Sequence, residues 1–149
     1  MTNNFSINKR RIEKYLKSQH FMIHIGFELN IIESGRTEGW LKLEKIHQQQ
    51  TGLVHGGVIA SLADVVAGFA AYTVVHPEHH VVTAEIKISY FYPGQGEMLQ
   101  AIGYVVKSGK KFNFCESEIF AVNNDQRKLI AKASSTMATV FPEDLSSKN

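Results

Sequence analysis

Residues 48–75 read QQQTGLVHGGVIASLADVVAGFAAYTVV. The segment starts polar and glycine-bearing, then stays apolar for about five helical turns. One charge, Asp64, interrupts the apolar part. An aspartate set mid-helix among alanines, valines and glycine costs several kcal/mol to desolvate unless it is paired or put to use. A helix that is apolar on nearly every side must also be covered on most of them. What surrounds this helix therefore decides the fold.

Upstream, from Gly26, the apolar residues Phe27, Leu29 and Ile31 alternate with polar ones, and the run GWLKLEK at 39–45 alternates again after Ser34-Gly35. This pattern predicts a β-hairpin. Before it, KRRIEKYLKS at 9–18 places Ile12, Tyr15 and Leu16 on one stripe. That spacing predicts a short amphipathic helix over 8–18, packed on the domain surface and capped by Asn8 or Ser6. Downstream, Pro77 ends the central helix. Four stretches of strand character follow, VVTAEIKISYFY at 81–92, MLQAIGYVVK at 98–107, FNFCESEIFAVN at 112–123 and KLIAKASSTMATV at 128–140. Glycine, proline and asparagine turns separate them. The expected fold class is α+β, with a long central helix wrapped by a curved antiparallel sheet of about six strands. No repeat, low-complexity run or linker divides residues 1–149, which read as one domain with an N-terminal helical extension over 1–20 and a frayed tail over 142–149.

Composition narrows the function classes. Hydrophobic residues make up 44% and charged residues 20% of the 149, ordinary values for a globular domain. A net charge of +2 argues against a nucleic-acid partner, which calls for a clustered basic face. The single cysteine, Cys115, excludes an internal disulfide, and no Cys/His spacing suggests a zinc site, so neither metal nor cofactor is expected. The basic N-terminal segment has no apolar signal-peptide core, which points to a cytoplasmic protein. Residues 58–75 are the one candidate membrane span. They hold Asp64 and Ser61 and read better as a buried helix, so no membrane partner is expected.

The neighbours of Asp64 one turn away are Ala60, Ser61, Ala67 and Gly68, all small, which leaves a groove beside the carboxylate. No Arg or Lys lies within a turn. Asp64 therefore reads as functional, the bland alternative being a buried carboxylate satisfied by a distant partner. His55-Gly56-Gly57 opens the helix. Two glycines let the backbone approach a ligand closely, and the first helical N–H groups are unpaired donors suited to a developing oxyanion. Gly56 and Asp64 are eight residues apart, ~12 Å along one helix. One carbonyl cannot touch both, so a shared site needs two antiparallel copies and gives two composite sites per dimer.

HGGVIASLAD at 55–64, followed by TAEIKISYFYPG at 83–94, resembles the hotdog-fold thioesterases of the phenylacetyl-CoA thioesterase (PaaI-like) group. The resemblance spans roughly residues 21–141. It implies hydrolysis of acyl-CoA, a helix wrapped by antiparallel sheet, homodimers with a continuous sheet, and commonly homotetramers. It also implies Asp64 as the catalytic carboxylate, either general base or nucleophile, and Gly56 as the backbone donor to the thioester oxygen. His55, with Gly57, belongs to the loop that shapes this donor, and Thr83 helps hold the attacking water. Many relatives carry an asparagine six residues before the motif histidine. This chain has Gln49 there, which keeps the amide but adds a methylene, and Gln48 and Gln50 flank it. The resemblance places nucleotide contacts near the basic turn Lys107, Ser108, Gly109, Lys110 and Lys111, although a solvated hairpin turn explains those lysines equally well.

Two other readings stand beside thioester hydrolysis. One is a hotdog protein that binds acyl-CoA without cleaving it, against which the intact Asp64 argues. The other is a hydratase or dehydratase on the same fold, whose relatives typically use a histidine with an acid on the helix, and the helix after Gly57 contains no histidine. Of the remaining residues, Cys115 reads as a small buried side chain and Trp40 as packing. His79 and His80 lack a third ligand nearby. Phe112 and Phe114, on one strand face, read as core or acyl-pocket lining.

Overall fold

The computed structural model describes residues 2–146, with side chains from Asn4 onward. Helices α1 (Thr2–Leu16) and α2 (His20–Ile25) precede the hairpin β1 (Phe27–Glu33) and β2 (Arg36–Lys42). A 3-10 turn at Lys45–His47 and a loop lead into the central helix α3 (Gly56–Tyr72). Then come β3 (His80–Tyr90), β4 (Met98–Ser108), β5 (Phe112–Asn123), β6 (Gln126–Val140) and a short α4 (Pro142–Ser146). The last four strands fall within two residues of the bounds read from their periodicity.

All six strands form one antiparallel sheet in the order β1-β2-β4-β5-β6-β3. β4 leaves its chain neighbour β3 and pairs with β2, so β3 ends as an edge strand against β6. Bulges at several pairings bend the strands around α3. Close approach of the helix has a specific cause. A Cβ at Gly103 would collide with the Val66 backbone, so only glycine lets β4 sit this near. Two buried sheet hydroxyls then donate to helix carbonyls, Thr37 Oγ1 to Val66 O at 2.7 Å and Ser117 Oγ to Ala63 O at 2.7 Å. The core is built from Ile59, Leu62, Ala63 and Val66 of α3 against Leu41, Leu99, Ala101, Ile119 and Ile130 of the sheet.

The sheet does not enclose α3. Gly57, Ser61, Asp64, Val65, Gly68 and Tyr72 keep partial or full exposure and recur at helical spacing, so they form one uncovered stripe. Asp64 is thus half-buried instead of sealed in the core, because the one charged position of the helix lies on the face bordered only by the edge strand β3.

Three expectations need correction. Helix α1 begins at Thr2, so Asn8 and Ser6 lie inside it instead of at its N-cap. Asn8 is 1% exposed and reaches across the domain, donating to Val75 O at 2.8 Å and Thr73 O at 3.4 Å. It satisfies carbonyls at the C-terminal end of α3, a role that a local pattern cannot reveal. Residues 142–146 form α4, while 147–149 lie outside the described residues. Phe112 and Phe114 are 47% and 46% exposed, on the sheet face away from α3. Alternation along β5 puts Asn113, Cys115 and Ser117 on the helix side instead.

Candidate active site

The first part of the site is set by how α3 begins. His55 is its N-cap, and the imidazole Nδ1 accepts the Gly57 N–H at 2.8 Å. That bond engages the Gly57 amide within the chain. The Gly56 N–H has no partner among the described residues, and it is the donor left at the positive end of the helix. Its carbonyl is held from the other side, where Tyr90 OH donates to Gly56 O at 2.9 Å. The Val54 N–H donates to Gly94 O at 2.9 Å, and a Cβ at Gly94 would press on Val54, so the loop after β3 is locked to the entry turn. Gly56 and Gln49 line a common hollow of about 290 Å³ with Tyr90, Tyr92 and Pro93. The Gln49 backbone is fixed by bonds with Leu53 and Gly52.

The second part lies further along α3. Thr83 Oγ1 donates to Asp64 Oδ1 at 2.6 Å, a length expected for a hydroxyl bound to a carboxylate. The same hydroxyl lies 3.5 Å from Met137 Sδ, a weak contact. A bulge follows Thr83 in β3, so the pairing with β6 resumes at Glu85. Such a bulge re-aims the side chains around it. Asp64 and Thr83 open into a cleft of about 440 Å³ that continues past Val65 and Gly68 to Tyr72. Burial pushes the Tyr72 phenol above its ordinary pKa.

The structure thus pairs Asp64 with Thr83, and Gly56 with Gln49, in two separate cavities. The basic turn joins neither. Thr83, Met137, Asn113 and Ser108 are successive cross-strand partners, which places Lys107, Ser108, Gly109, Lys110 and Lys111 at the Thr83 end of the sheet, ~15 Å from that strand. The turn is exposed, and Ser108 Oγ is bonded to Asn113 at 2.8 Å. Cys115 is buried as expected, and burial raises its thiol to about 11. Two residues were missed. Tyr90 sits in the strand motif without a signal that it would reach Gly56. Tyr15 of α1 lines the Asp64 cleft, which needs the long-range docking by Asn8.

Known proteins share this architecture. A thioesterase family protein from Silicibacter pomeroyi superposes with a TM-score of 0.88 at 23% identity, over 90% of this chain and 98% of that one. The E. coli PaaI protein from the phenylacetic acid degradation operon superposes with a TM-score of 0.81 at 19% identity, over 93% and 96%. The fold is the hotdog fold. In sequence, the medium/long-chain acyl-CoA thioesterase YigI of Escherichia coli K12 is 28% identical over 97 residues, 56% of this chain and 61% of that protein. The match therefore spans about three fifths of that relative. The 1,4-dihydroxy-2-naphthoyl-CoA hydrolase of Listeria monocytogenes is 29% identical over 115 residues, 76% and 90% of the two chains. The family model described as the thioesterase superfamily matches residues 51–128, from the loop before His55 to Lys128 in β6. That segment carries Gly56, Asp64 and Thr83, and the chain belongs to the thioesterase superfamily.

Proposed function

We propose that the chain hydrolyses acyl-CoA thioesters to the free acid and CoA, at two sites each shared between two copies of the chain. The observation that carries this reading is the 2.6 Å pair of Thr83 and Asp64 on the uncovered stripe of α3. The thioesters named for the YigI and naphthoyl-CoA relatives supply the substrate class.

The chemistry follows from which lone pairs are left. Thr83 uses its O–H to donate a hydrogen bond to Asp64 Oδ1, so its oxygen is left to accept a hydrogen bond from water. Asp64 Oδ2 has no partner among the described residues and takes the proton of that water as it attacks the carbonyl carbon. The negative charge that develops on the carbonyl oxygen meets the Gly56 N–H of the other copy, helped by the Gln49 amide. The C–S bond then breaks, and the departing CoA sulfur receives the proton held by Asp64. Alternatively, Asp64 attacks the carbon itself, and the C–S bond breaks to release CoA as the thiolate, which takes a proton from water. A second water then opens the resulting anhydride, with the same donors serving both steps. His55 keeps Gly57 engaged and so fixes the donor turn. Lys107, Lys110 and Lys111, with Ser108 and Gly109 at the turn, are open to the CoA phosphates. The assembly is a homodimer or a homotetramer built from such dimers. No helix among the described residues is long and apolar enough to cross a membrane, and a cytoplasmic location accompanies the CoA substrate.

Mixing two inactive variants tests the shared site. Asp64→Ala and Gly56→Pro each lack one half. After subunit exchange at equal amounts, half of the dimers are mixed and each holds one intact site, so about a quarter of wild-type CoA release returns. If mixed dimers form and remain inactive, the shared site is wrong. Saturable acyl-CoA binding by the wild type without thiol release would favour the non-hydrolysing binder.

A further inference from the structure

We propose that α1, which lies outside the segment matched by the family, sets the length limit of the acyl group; the inference rests on the hydrolase reading of the Asp64 cleft. From Asp64 the cleft follows α3 over Val65 and Gly68 to Tyr72, where Tyr15 of α1 packs on Tyr72 and also lines it. A Cβ at Gly68 would touch nothing within 4 Å, so the passage is open one turn beyond the carboxylate.

Tyr15 is well placed to be a firm end wall. Its ring lies edge-on to Tyr72 with centroids 5.9 Å apart and stacks near His80 at 6.2 Å. Tyr72 OH and His80 Nδ1 are joined at 3.2 Å, which links the two neighbours of Tyr15 to each other. The Arg11 guanidinium lies 5.7 Å from the Tyr15 ring centroid and 5.6 Å from that of Tyr72, and donates to His79 O at 2.8 Å. Behind this group α1 is anchored by fully buried Ile12 and by the Asn8 bonds to the end of α3. A group entering the cleft therefore meets rings already held on several sides, and moving them disturbs the helix that carries them.

The geometry gives a length. Asp64 and Tyr72 are eight residues apart, ~12 Å of helix, and an extended acyl chain advances ~1.3 Å per carbon, so about nine carbons fill the distance. Shorter chains and single rings fit, while longer chains run into Tyr15.

The test is a kcat/KM profile over straight-chain acyl-CoAs from acetyl to palmitoyl for the wild type, Tyr15→Ala and Gly68→Leu. S-alkyl-CoA thioethers of the same lengths are measured in parallel by calorimetry, and circular dichroism checks that each variant keeps its helices. The wild type should lose at least about ten-fold once the chain exceeds about nine carbons. Tyr15→Ala should move that drop to longer chains, and Gly68→Leu, which fills the passage nearer Asp64, to shorter ones. A wild type with no drop up to palmitoyl, or one length profile common to all three folded proteins, overturns the proposal. If no acyl-CoA is hydrolysed but thioether affinity shows the same two shifts, the length limit stands and the hydrolase reading falls.

Discussion

At its first residue α3 presents a backbone N–H in a hollow walled by Tyr90, Tyr92 and Pro93, whereas eight residues later it presents a carboxylate in a cleft walled by α1. The donor comes from the main chain, so its position depends on the entry turn and on the bonds that hold it. The carboxylate is a side chain whose orientation is set by a hydroxyl from another element. Yet both are steadied by the same edge strand, β3, through Tyr90 near one end and Thr83 near the other. A shift of β3 therefore moves both halves, and the strand is a part of the site even though most of its side chains touch no reacting atom.

Variants that strike one half and spare the other test this comparison. The largest effect is expected at the carboxylate. Asp64→Asn should lower kcat by about 10³-fold, the range of a lost general base. Its thermal midpoint should stay close to wild type, since Asp64 is half-exposed and has no charged partner among the described residues. A near-normal kcat in the CoA-release assay would remove Asp64 from the chemistry.

Next comes the backbone donor. Gly56→Pro deletes the N–H at a helix position that accepts proline well, and His55 already has the extended φ −63°, ψ 133° that a residue before proline adopts. We expect a loss of about 10²-fold with α3 intact. Gly56→Ala is the control, because its Cβ would meet the Tyr90 ring at an ordinary 3.6 Å and the N–H remains. Equal losses in the two variants would show that space, and not the donor, matters.

Smaller effects should follow from the two β3 contacts. Thr83→Val removes the 2.6 Å bond and should reduce kcat about ten-fold, as expected for a lost hydrogen bond to a charged group. Thr83→Ser should recover most of the loss, and a serine as poor as valine would count against the hydroxyl. Tyr90→Phe removes a neutral bond to the Gly56 carbonyl and should lower kcat/KM by only a few-fold, about 1 kcal/mol. A loss there as large as that of Asp64→Asn would mean that Tyr90 acts on the substrate directly.

The helix and the strands were legible because their signals are local. Alternation along 112–123 gave β5 its observed bounds, and the apolar run with one aspartate gave α3 and its special position. The family motif supplied Thr83, and the bond to Asp64 places the two side by side. What stayed hidden depends on contacts far apart in sequence. Asn8 looks like a cap for its own helix, yet its side-chain N–H groups donate to carbonyls 65 and 67 residues away. Phe112 and Phe114 look like core by hydrophobicity, but alternation alone does not say which face of β5 meets α3. The role of His55 as the cap of Gly57 was invisible for a different reason, since one histidine before two glycines fits several turn geometries equally well.

The Asn8 contact also bears on how the protein opens. α1 can dock only after the end of α3 has formed, because its buried amide binds carbonyls that do not converge until then. Elements attached late and through few buried residues tend to detach as a unit, at less free energy than global unfolding. Detachment of α1 would leave the sheet, α3 and the Thr83–Asp64 bond in place. Amide exchange in α1 should then be faster than in β5 or α3, and the fraction of time α1 is detached would set the slow turnover of acyl groups too long for the closed cleft.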